Sequence, residues 1–324
     1  MWQNDLRDAF TEVSQLLDFL QLKPPNAPYL LSKSSKFPFL VTKDFAQRMR
    51  PQWNDPLLLQ VLPREEENKP VNGFVNDAVG DEMAQVIPGL LHKYKSRVLL
   101  TPTPACAIHC RYCFRKNFDY QSLIAQPESS NKILSYLKNH PEVNEVILSG
   151  GDPLLLTDQQ LKVLLKLTQL ETIHTVRFHT RVPIVFPSRI THLLLAQLQK
   201  IVQNKNLIFV LHINHPQELS GQCLQSIKQL KQVGALLLNQ AVLLKGINDT
   251  AEIQERLSDR TTELGILPYY LHQLDRVTGT HHFEVEASEG AKIWKELQKN
   301  IAGYRLPRYV KEVPGEESKT LIQG

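Results

Sequence analysis

No apolar run in this chain of 324 residues approaches the ~20 that a helix needs to cross a bilayer. The opening MWQNDLRDAF lacks a basic stretch followed by an apolar one, so no secretory signal is expected there. Cysteine is scarce, four residues in all, which excludes a disulfide scaffold and points to a reducing compartment, the cytoplasm. Neither sign of charge dominates: 37 basic and 33 acidic residues leave +4. The basic residues are spread along the chain, so neither nucleic acid nor a membrane surface is expected as a partner. Apolar content of 42% and charged content of 22% are ordinary for a protein with a full-sized core. The length accommodates one large domain with appendages or two modest ones.

Three of the scarce cysteines stand together in Cys106-Ala-Ile-His-Cys110-Arg-Tyr-Cys113, a C-x3-C-x2-C spacing. Four thiolates close a structural zinc site or fully ligate a four-iron cluster; three leave one iron open to a small molecule. A zinc site with His109 as fourth ligand is the bland alternative. His109 lies between two of the cysteines and adds no closing knuckle, so Cys106, Cys110 and Cys113 are read as cluster ligands. Cys223 shares a helical face with Ile227 and Leu230 and reads as a buried core cysteine.

Residues 1–90 read as an irregular helical extension. Leu6, Phe10, Val13, Leu17 and Leu20 keep helical spacing, Pro24-Pro25 stops that helix, and a short helix is expected at Lys43 to Arg50. Pro63 to Pro70, with three consecutive glutamates, reads as an exposed loop. From Arg97 the pattern is regular. Strands are expected at 98–101, 143–148, 175–179, 207–213, 235–244 and 267–271. Amphipathic helices are expected at 130–140, 157–170, 189–203, 220–233, 250–264 and 289–301. Thr157 to Gln160 and Asp249 to Glu252 fit capping boxes, while Gly234 and Gly265 stand where helices end. Strands apolar on both faces imply an α/β protein with a parallel sheet covered by helices. A partial (β/α)6 barrel and an open doubly wound sheet both satisfy the pattern, and both put chemistry at the strand C-terminal ends. The expected division is an N-terminal extension at 1–90, a core at 91–288 and a C-terminal helix and segment at 289–324.

The second of these strands ends in Ser149-Gly150-Gly151-Asp152, where two glycines allow close backbone approach to a ligand and the acid can accept from an amine. Near the C-terminus stands Pro314-Gly315-Glu316-Glu317-Ser318-Lys319. A lysine so placed is by default a solvated tail residue; suitably sheltered, it is the residue that forms a Schiff base with pyridoxal phosphate.

The cysteine trio and the Gly-Gly-Asp run together resemble the radical S-adenosylmethionine superfamily. The resemblance implies a partial (β/α)6 TIM-type barrel, a [4Fe-4S] cluster whose open iron chelates S-adenosylmethionine, and a 5′-deoxyadenosyl radical. It places Tyr112 near the adenine and assigns Gly150, Gly151 and Asp152 to the methionine end. The C-terminal Pro-Gly-x-x-x-Lys run is similar to that of lysine 2,3-aminomutases. So are Arg181-Val182-Pro183-Ile184-Val185, His212-Ile213-Asn214-His215-Pro216, Asn239 to Asp249, and Pro268-Tyr269-Tyr270.

That resemblance implies Lys319 as the pyridoxal phosphate lysine, with Arg97, Gln240 and Lys93 on the cofactor phosphate. It implies Arg115 on the substrate carboxylate, Asp275 and Glu312 on the side-chain ammonium, and His212 and Asn214 around S-adenosylmethionine. The implied reaction moves the amine of L-α-lysine to its β-carbon. A glutamate 2,3-aminomutase is the alternative, but paired Asp275 and Glu312 would repel an acidic side chain. Two departures stand out: Glu312 replaces an aspartate, and Thr250 replaces a cysteine of the family's structural zinc site, whose remaining cysteines are also missing. The resemblance therefore points to the branch that makes (R)-β-lysine for elongation factor P, with a functional link to the ligase that attaches it. A flavodoxin or ferredoxin as electron donor and a homo-oligomeric assembly are the remaining expectations.

Overall fold

The computed structural model describes residues 2–32, 35–118 and 127–322. Four short helices come first: α1 (Trp2–Arg7), α2 (Val13–Phe19), α3 (Lys43–Ala46) and α4 (Pro56–Leu59). The single helix expected through Leu20 is two. The chain between them straightens so that Phe10 pairs with Val41 through N–H···O bonds of 2.8 and 3.0 Å. Asp55 caps α4, accepting from the Leu57 and Leu58 amides at 3.0 and 2.9 Å.

A ten-stranded sheet follows, its strands neighbouring one another in chain order. Strands β1 (Gln85–Ile87) and β2 (Leu90–Tyr94) lead antiparallel into β3 (Arg97–Leu100). Then alternate α5 (Pro127–Asn139), β4 (Glu145–Leu148), α6 (Asp158–Lys166), β5 (Thr175–Thr180), α7 (Val182–Val185), α8 (His192–Val202) and β6 (Asn206–His212). They are followed by α9 (Cys223–Gln232), β7 (Leu236–Val242), α10 (Ala251–Glu263), β8 (Leu267–His272), α11 (Ala287–Asn300), β9 (Arg308–Lys311) and β10 (Thr320–Leu321). From β3 to β9 every pairing is parallel, and β10 returns antiparallel on β9.

Strands in chain order make a singly wound sheet, since a doubly wound one reverses its order at a switch point. The partial-barrel reading therefore holds. The sequence pattern missed β1, β2, β9 and β10, which are short and carry polar residues such as His92, Lys93, Arg308 and Lys311. Alternation along β5 sets Val176 and Phe178 beneath the helices and turns Arg177 and His179 into the barrel. Phe178 stacks on Phe209 of β6 at 4.9 Å. One continuous apolar core runs from Trp2 and Phe45 through Val146 and Phe209 to Tyr309, so the described part of the N-terminal 90 residues packs into the barrel's core. Of the expected caps, Thr157 and Gln160 form their box reciprocally. At α10 the cap is Thr250, one residue later than expected, while Asp249 accepts from the Gly246 amide at 2.9 Å. Gly234 and Gly265 end α9 and α10 at φ of +95° and +74°.

Candidate active site

The inner face of the curved sheet encloses a cavity of about 550 Å³. The cysteine loop after β3 closes its upper end, at the C-terminal ends of the strands. That loop is fastened from the N-terminal region: the His109 amide donates to the Leu40 carbonyl and the Arg111 amide to the Gln60 carbonyl, both at 2.9 Å. The buried Arg111 guanidinium lies on the Glu67 carboxylate, with Nε 2.9 Å from Oε1, and also donates to the Phe37 and Pro38 carbonyls. Lys116 joins the same carboxylate at 3.3 Å. Glu67 is therefore buried, correcting the exposed loop expected at Pro63 to Pro70. A lone buried guanidinium demands a carboxylate, and this one comes from 44 residues away.

Cys106, Cys110 and Cys113 all line the cavity. Burial pushes the Cys113 thiol up to about 11, with Cys110 beside it adding to the shift. Burial likewise raises Cys106, helped by Cys113 and Asp152. Thiols that oppose one another's ionisation in this way are poised for a cationic centre. Among the described residues no three His, Cys, Asp or Glu side chains gather around the position of a single metal ion. A cluster asks for another arrangement, since each thiolate takes its own iron, and the donor set fits that. His109 instead packs on the Phe37 ring at 5.3 Å.

The glycines after β4 face a different neighbour from the one expected. A Cβ on Gly151 would lie 2.3 Å from the Ala105 carbonyl oxygen, and one on Gly150 would lie 2.9 Å from that of Thr103. What approaches so closely is the backbone leading into the cysteine loop, and the Gly151 and Asp152 amides donate to Thr103 and Ala105 at 2.8 and 2.7 Å. The Asp152 carboxylate is also committed: it accepts from Thr180 Oγ1 at 2.7 Å and from the Arg181, Val182 and Leu154 amides at 2.8, 3.1 and 3.1 Å. Burial nevertheless raises it to about 6. Gly150, Gly151 and Asp152 line the cavity, and the Asp152 side chain joins the β4 and β5 loops rather than standing open to an amine.

Behind the upper wall lies a polar network. Arg181 Nη1 donates to Cys110 Sγ at 2.7 Å and to Tyr112 Oη at 2.8 Å; its Nη2 donates to Gln60 Oε1 at 2.6 Å and Glu218 Oε2 at 2.9 Å. Asn214 is wholly buried in this network, donating to Tyr112 Oη at 2.7 Å and accepting from the Val242 amide at 2.9 Å. It stands one layer behind the wall it was expected to line. Tyr112 and His212 face the cavity and meet edge to face at 5.8 Å.

Elsewhere in the lining, Asp81 bridges two cations, with Oδ1 2.6 Å from Lys93 and Oδ2 2.7 Å from Arg115 Nε. Arg115 also donates to Ser149 Oγ at 2.9 Å. Lys93 gives its ammonium to Asp81 and to the Val79 carbonyl at 2.6 Å, with Glu312 3.8 Å away. It is thus held among acids and not set towards an anion, contrary to the phosphate contact expected of it. Arg97 stacks on Tyr94 at 4.1 Å. Gln240, Tyr270 and Arg308 sit side by side on β7, β8 and β9, and Arg97 and Arg308 both act on Tyr270. Lys319 lies in this cavity because the tail turns at Gly315 (φ +87°) and β10 pairs with β9. Its Nζ donates to Glu312 Oε2 at 2.5 Å, and Tyr94 Oη donates to the other Glu312 oxygen at 2.8 Å. Burial pushes Asp275 up to about 7, against the pull of Lys319 and with the push of Glu312.

The residues fit the groups that the sequence resemblance implies. A primary amine, a guanidinium pair and Gln240 suit an aldehyde-bearing phosphate. The Nε2 atoms of His179 and His212 are buried with no hydrogen-bond partner among the described residues, as they would be when facing a ligand's polar atoms. Burial keeps both imidazoles neutral, His212 at about 3. Sequence reading gave no role to Asp81, Arg181, Glu218, Gln60 or His179. Arg181 and His179 flank a strand end, which is a signal in hindsight; Gln60 and Glu218 meet only through the fold.

Similarity to known proteins accords with this geometry. The sequence model of the radical SAM superfamily matches residues 100–255. The L-lysine 2,3-aminomutase of Buchnera aphidicola is 42% identical, over 99% of this chain and 95% of its own length. Those of Haemophilus influenzae and Escherichia coli are 38% and 40% identical, over 99% and 98% of this chain and 95% and 93% of their own.

Proposed function

From the chain's membership of the lysine 2,3-aminomutase family of radical S-adenosylmethionine enzymes, we infer an isomerase that moves the α-amino group of L-lysine to the β-carbon. The observation that carries the reading is one cavity lined at once by Cys106, Cys110 and Cys113, by Arg115, by Asp275 and Glu312, and by Lys319. The β-hydrogen of lysine has no acidity that a side-chain base could use. When bound, the [4Fe-4S] cluster, S-adenosylmethionine and pyridoxal phosphate supply hydrogen-atom abstraction and a π-bonded carrier for the migrating nitrogen.

The chain's own residues do the rest. Cys106, Cys110 and Cys113 hold the cluster; Tyr112 and His212 form the wall beside it, with Asn214 bracing Tyr112 from behind. Gly150, Gly151 and Asp152 join that wall to the cysteine loop, and the two glycines leave the only clearance that approach allows. Lys319 binds pyridoxal phosphate, and Arg97 with Gln240 stands where its phosphate would be neutralised. Lys93 supports this end indirectly, by holding Asp81. Asp81 and Ser149 fix the plane of Arg115, whose planar fork suits the substrate carboxylate. Glu312 holds the Lys319 ammonium in the present structure. With pyridoxal phosphate held by Lys319, Glu312 would be free to join Asp275 on the substrate's side-chain ammonium. Water and stray hydrogens are kept from the reacting carbons by the enclosing sheet.

An anaerobic assay with reductant, S-adenosylmethionine, pyridoxal phosphate and L-lysine, followed by chromatographic separation of α- from β-lysine, tests the assignment. Turnover of L-glutamate with none of L-lysine would replace it by the alternative substrate.

The carboxyl of Asp275, raised to about 7, sets a pH dependence. Below that value it carries a proton and offers no charge to an ammonium. The KM for lysine is therefore expected to rise as pH falls through 7, approaching about tenfold per unit. In Asp275→Asn that slope should vanish and KM stay high throughout. A wild-type KM flat from pH 8 to 6 would place the ammonium elsewhere.

The destination of the product belongs to the same proposal. Thr250, which caps α10 where other members of the family place a zinc cysteine, supports the branch that supplies (R)-β-lysine for elongation factor P. Its functional partner would be the ligase that attaches β-lysine. A flavodoxin or ferredoxin would be the electron donor, a homo-oligomer the assembly and the cytoplasm the location. Among the described residues no helix is long and apolar enough to cross a membrane. Loss of the β-lysyl mass from elongation factor P in cells lacking this chain, restored by added β-lysine, is the outcome expected.

A further inference from the structure

Arg181 lies outside every role given above, yet both of its terminal guanidinium nitrogens are engaged in the network behind the cavity wall. It follows β5 directly, and its amide is fixed by Asp152. The buried guanidinium reaches Cys110 Sγ with Nη1, and Nη2 reaches Gln60 and Glu218. Phe45 lies 5.2 Å beneath it. Glu218, also wholly buried, is itself fixed by the Asn214 and His215 amides at 3.0 and 3.2 Å and by Gln60 Nε2 at 3.2 Å. Burial pushes the Glu218 carboxyl up, but the adjoining guanidinium and these donors outweigh it and keep the group ionised.

A permanently charged, dehydrated guanidinium in contact with a ligating sulfur, and a carboxylate behind it that partly offsets the charge, form a graded electrostatic element. We propose that Arg181 and Glu218 are positioning residues that set the reduction potential of the cluster through Cys110, the arginine raising it and the glutamate lowering it. The inference rests on the cluster assignment made above. Adding an electron makes the cluster more negative, so a nearby cation favours the reduced form and a nearby anion disfavours it. Hydrogen bonds to the sulfurs and net charge are the means by which proteins shift such potentials. In a low-dielectric interior neither charge is screened as it would be at the surface.

The experiment is a redox titration of the reconstituted cluster, followed by electron paramagnetic resonance without S-adenosylmethionine or lysine. Wild type is compared with Arg181→Gln, Arg181→Lys and Glu218→Gln. Arg181→Gln is expected to shift the reduction equilibrium at least tenfold towards the oxidised cluster, a 59 mV fall for one electron. Glu218→Gln should move it the opposite way, and Arg181→Lys should stay nearer wild type than the glutamine variant. Opposite shifts from two neighbouring substitutions are not what loss of packing produces. Midpoints equal to wild type, or moving together, overturn the proposal. If Arg181→Gln does not fold, Glu218→Gln decides alone: a raised midpoint supports the proposal and an unchanged one overturns it. A wild-type protein that assembles no four-iron cluster would instead overturn the cluster assignment.

Discussion

Lys319→Ala is expected to lower turnover by roughly 10³-fold or more, the scale of losing a covalent catalytic group, with iron and sulfide content unchanged. The residue sits at the end of a turn and immediately before β10, whose pairing with β9 aligns Thr320 with Lys311 and Leu321 with Val310. That hairpin holds the Lys319 stem near the Tyr270 ring, 6.0 Å from its nitrogen, inside the same cavity as the cysteines. The amine is also paired with Glu312, so a simple loss of activity would not separate a covalent role from an ionic one. Lys319→Arg separates them. Arginine keeps a cation beside Glu312 but forms no linkage to an aldehyde. Both variants should therefore lose the visible absorbance that wild type gains with pyridoxal phosphate. Retained absorbance in Lys319→Ala, or activity in Lys319→Arg, would remove Lys319 from this role.

Much of the barrel was legible because its strands are short, largely apolar runs and its helices carry punctuation that works locally. Thr157 with Gln160, and the glycines at 234 and 265, act within a few residues of themselves, and each falls where sequence puts it. The same local reasoning missed β1, β2, β9 and β10. These outlying strands are made by pairing rather than by apolar content, and β10 consists of two residues.

At the site, composition located the cysteine trio and the tail lysine, since rare residues in rare spacings need no long-range information. The fold was needed for what holds them. Gly150 and Gly151 read as room for a ligand, and their clearance is spent on the backbone entering the cysteine loop. Asp152 and Lys93 read as ligand contacts, and both are committed to protein partners. A sequence reports which groups are chemically able to bind. It does not report which donors the fold has already satisfied.

Glu67 is the plainest case of information held only by the fold, and its removal should have the largest effect on stability. In sequence it is the third of three glutamates in a polar stretch, and such a stretch reads as solvated. In the structure it is buried, and Arg111, wholly buried, approaches it with both Nε and Nη2. Arg111 lies between Cys110 and Tyr112, so the pair fastens the N-terminal region to the cysteine loop. Glu67→Ala leaves a desolvated guanidinium with, among the described residues, only the Phe37 and Pro38 carbonyls and Ser35 as polar partners. Breaking a buried pair from one side costs roughly 3–5 kcal/mol, a large part of a typical protein's total stability. In urea the midpoint should fall by a corresponding amount at unchanged slope. The double variant Glu67→Ala/Arg111→Met should recover part of the loss, because the guanidinium is then no longer stranded, while Lys116 still lacks its carboxylate. A Glu67→Ala midpoint within error of wild type would mean that Arg111 finds water or another acid, and that the region around Glu67 is as open as its sequence suggests.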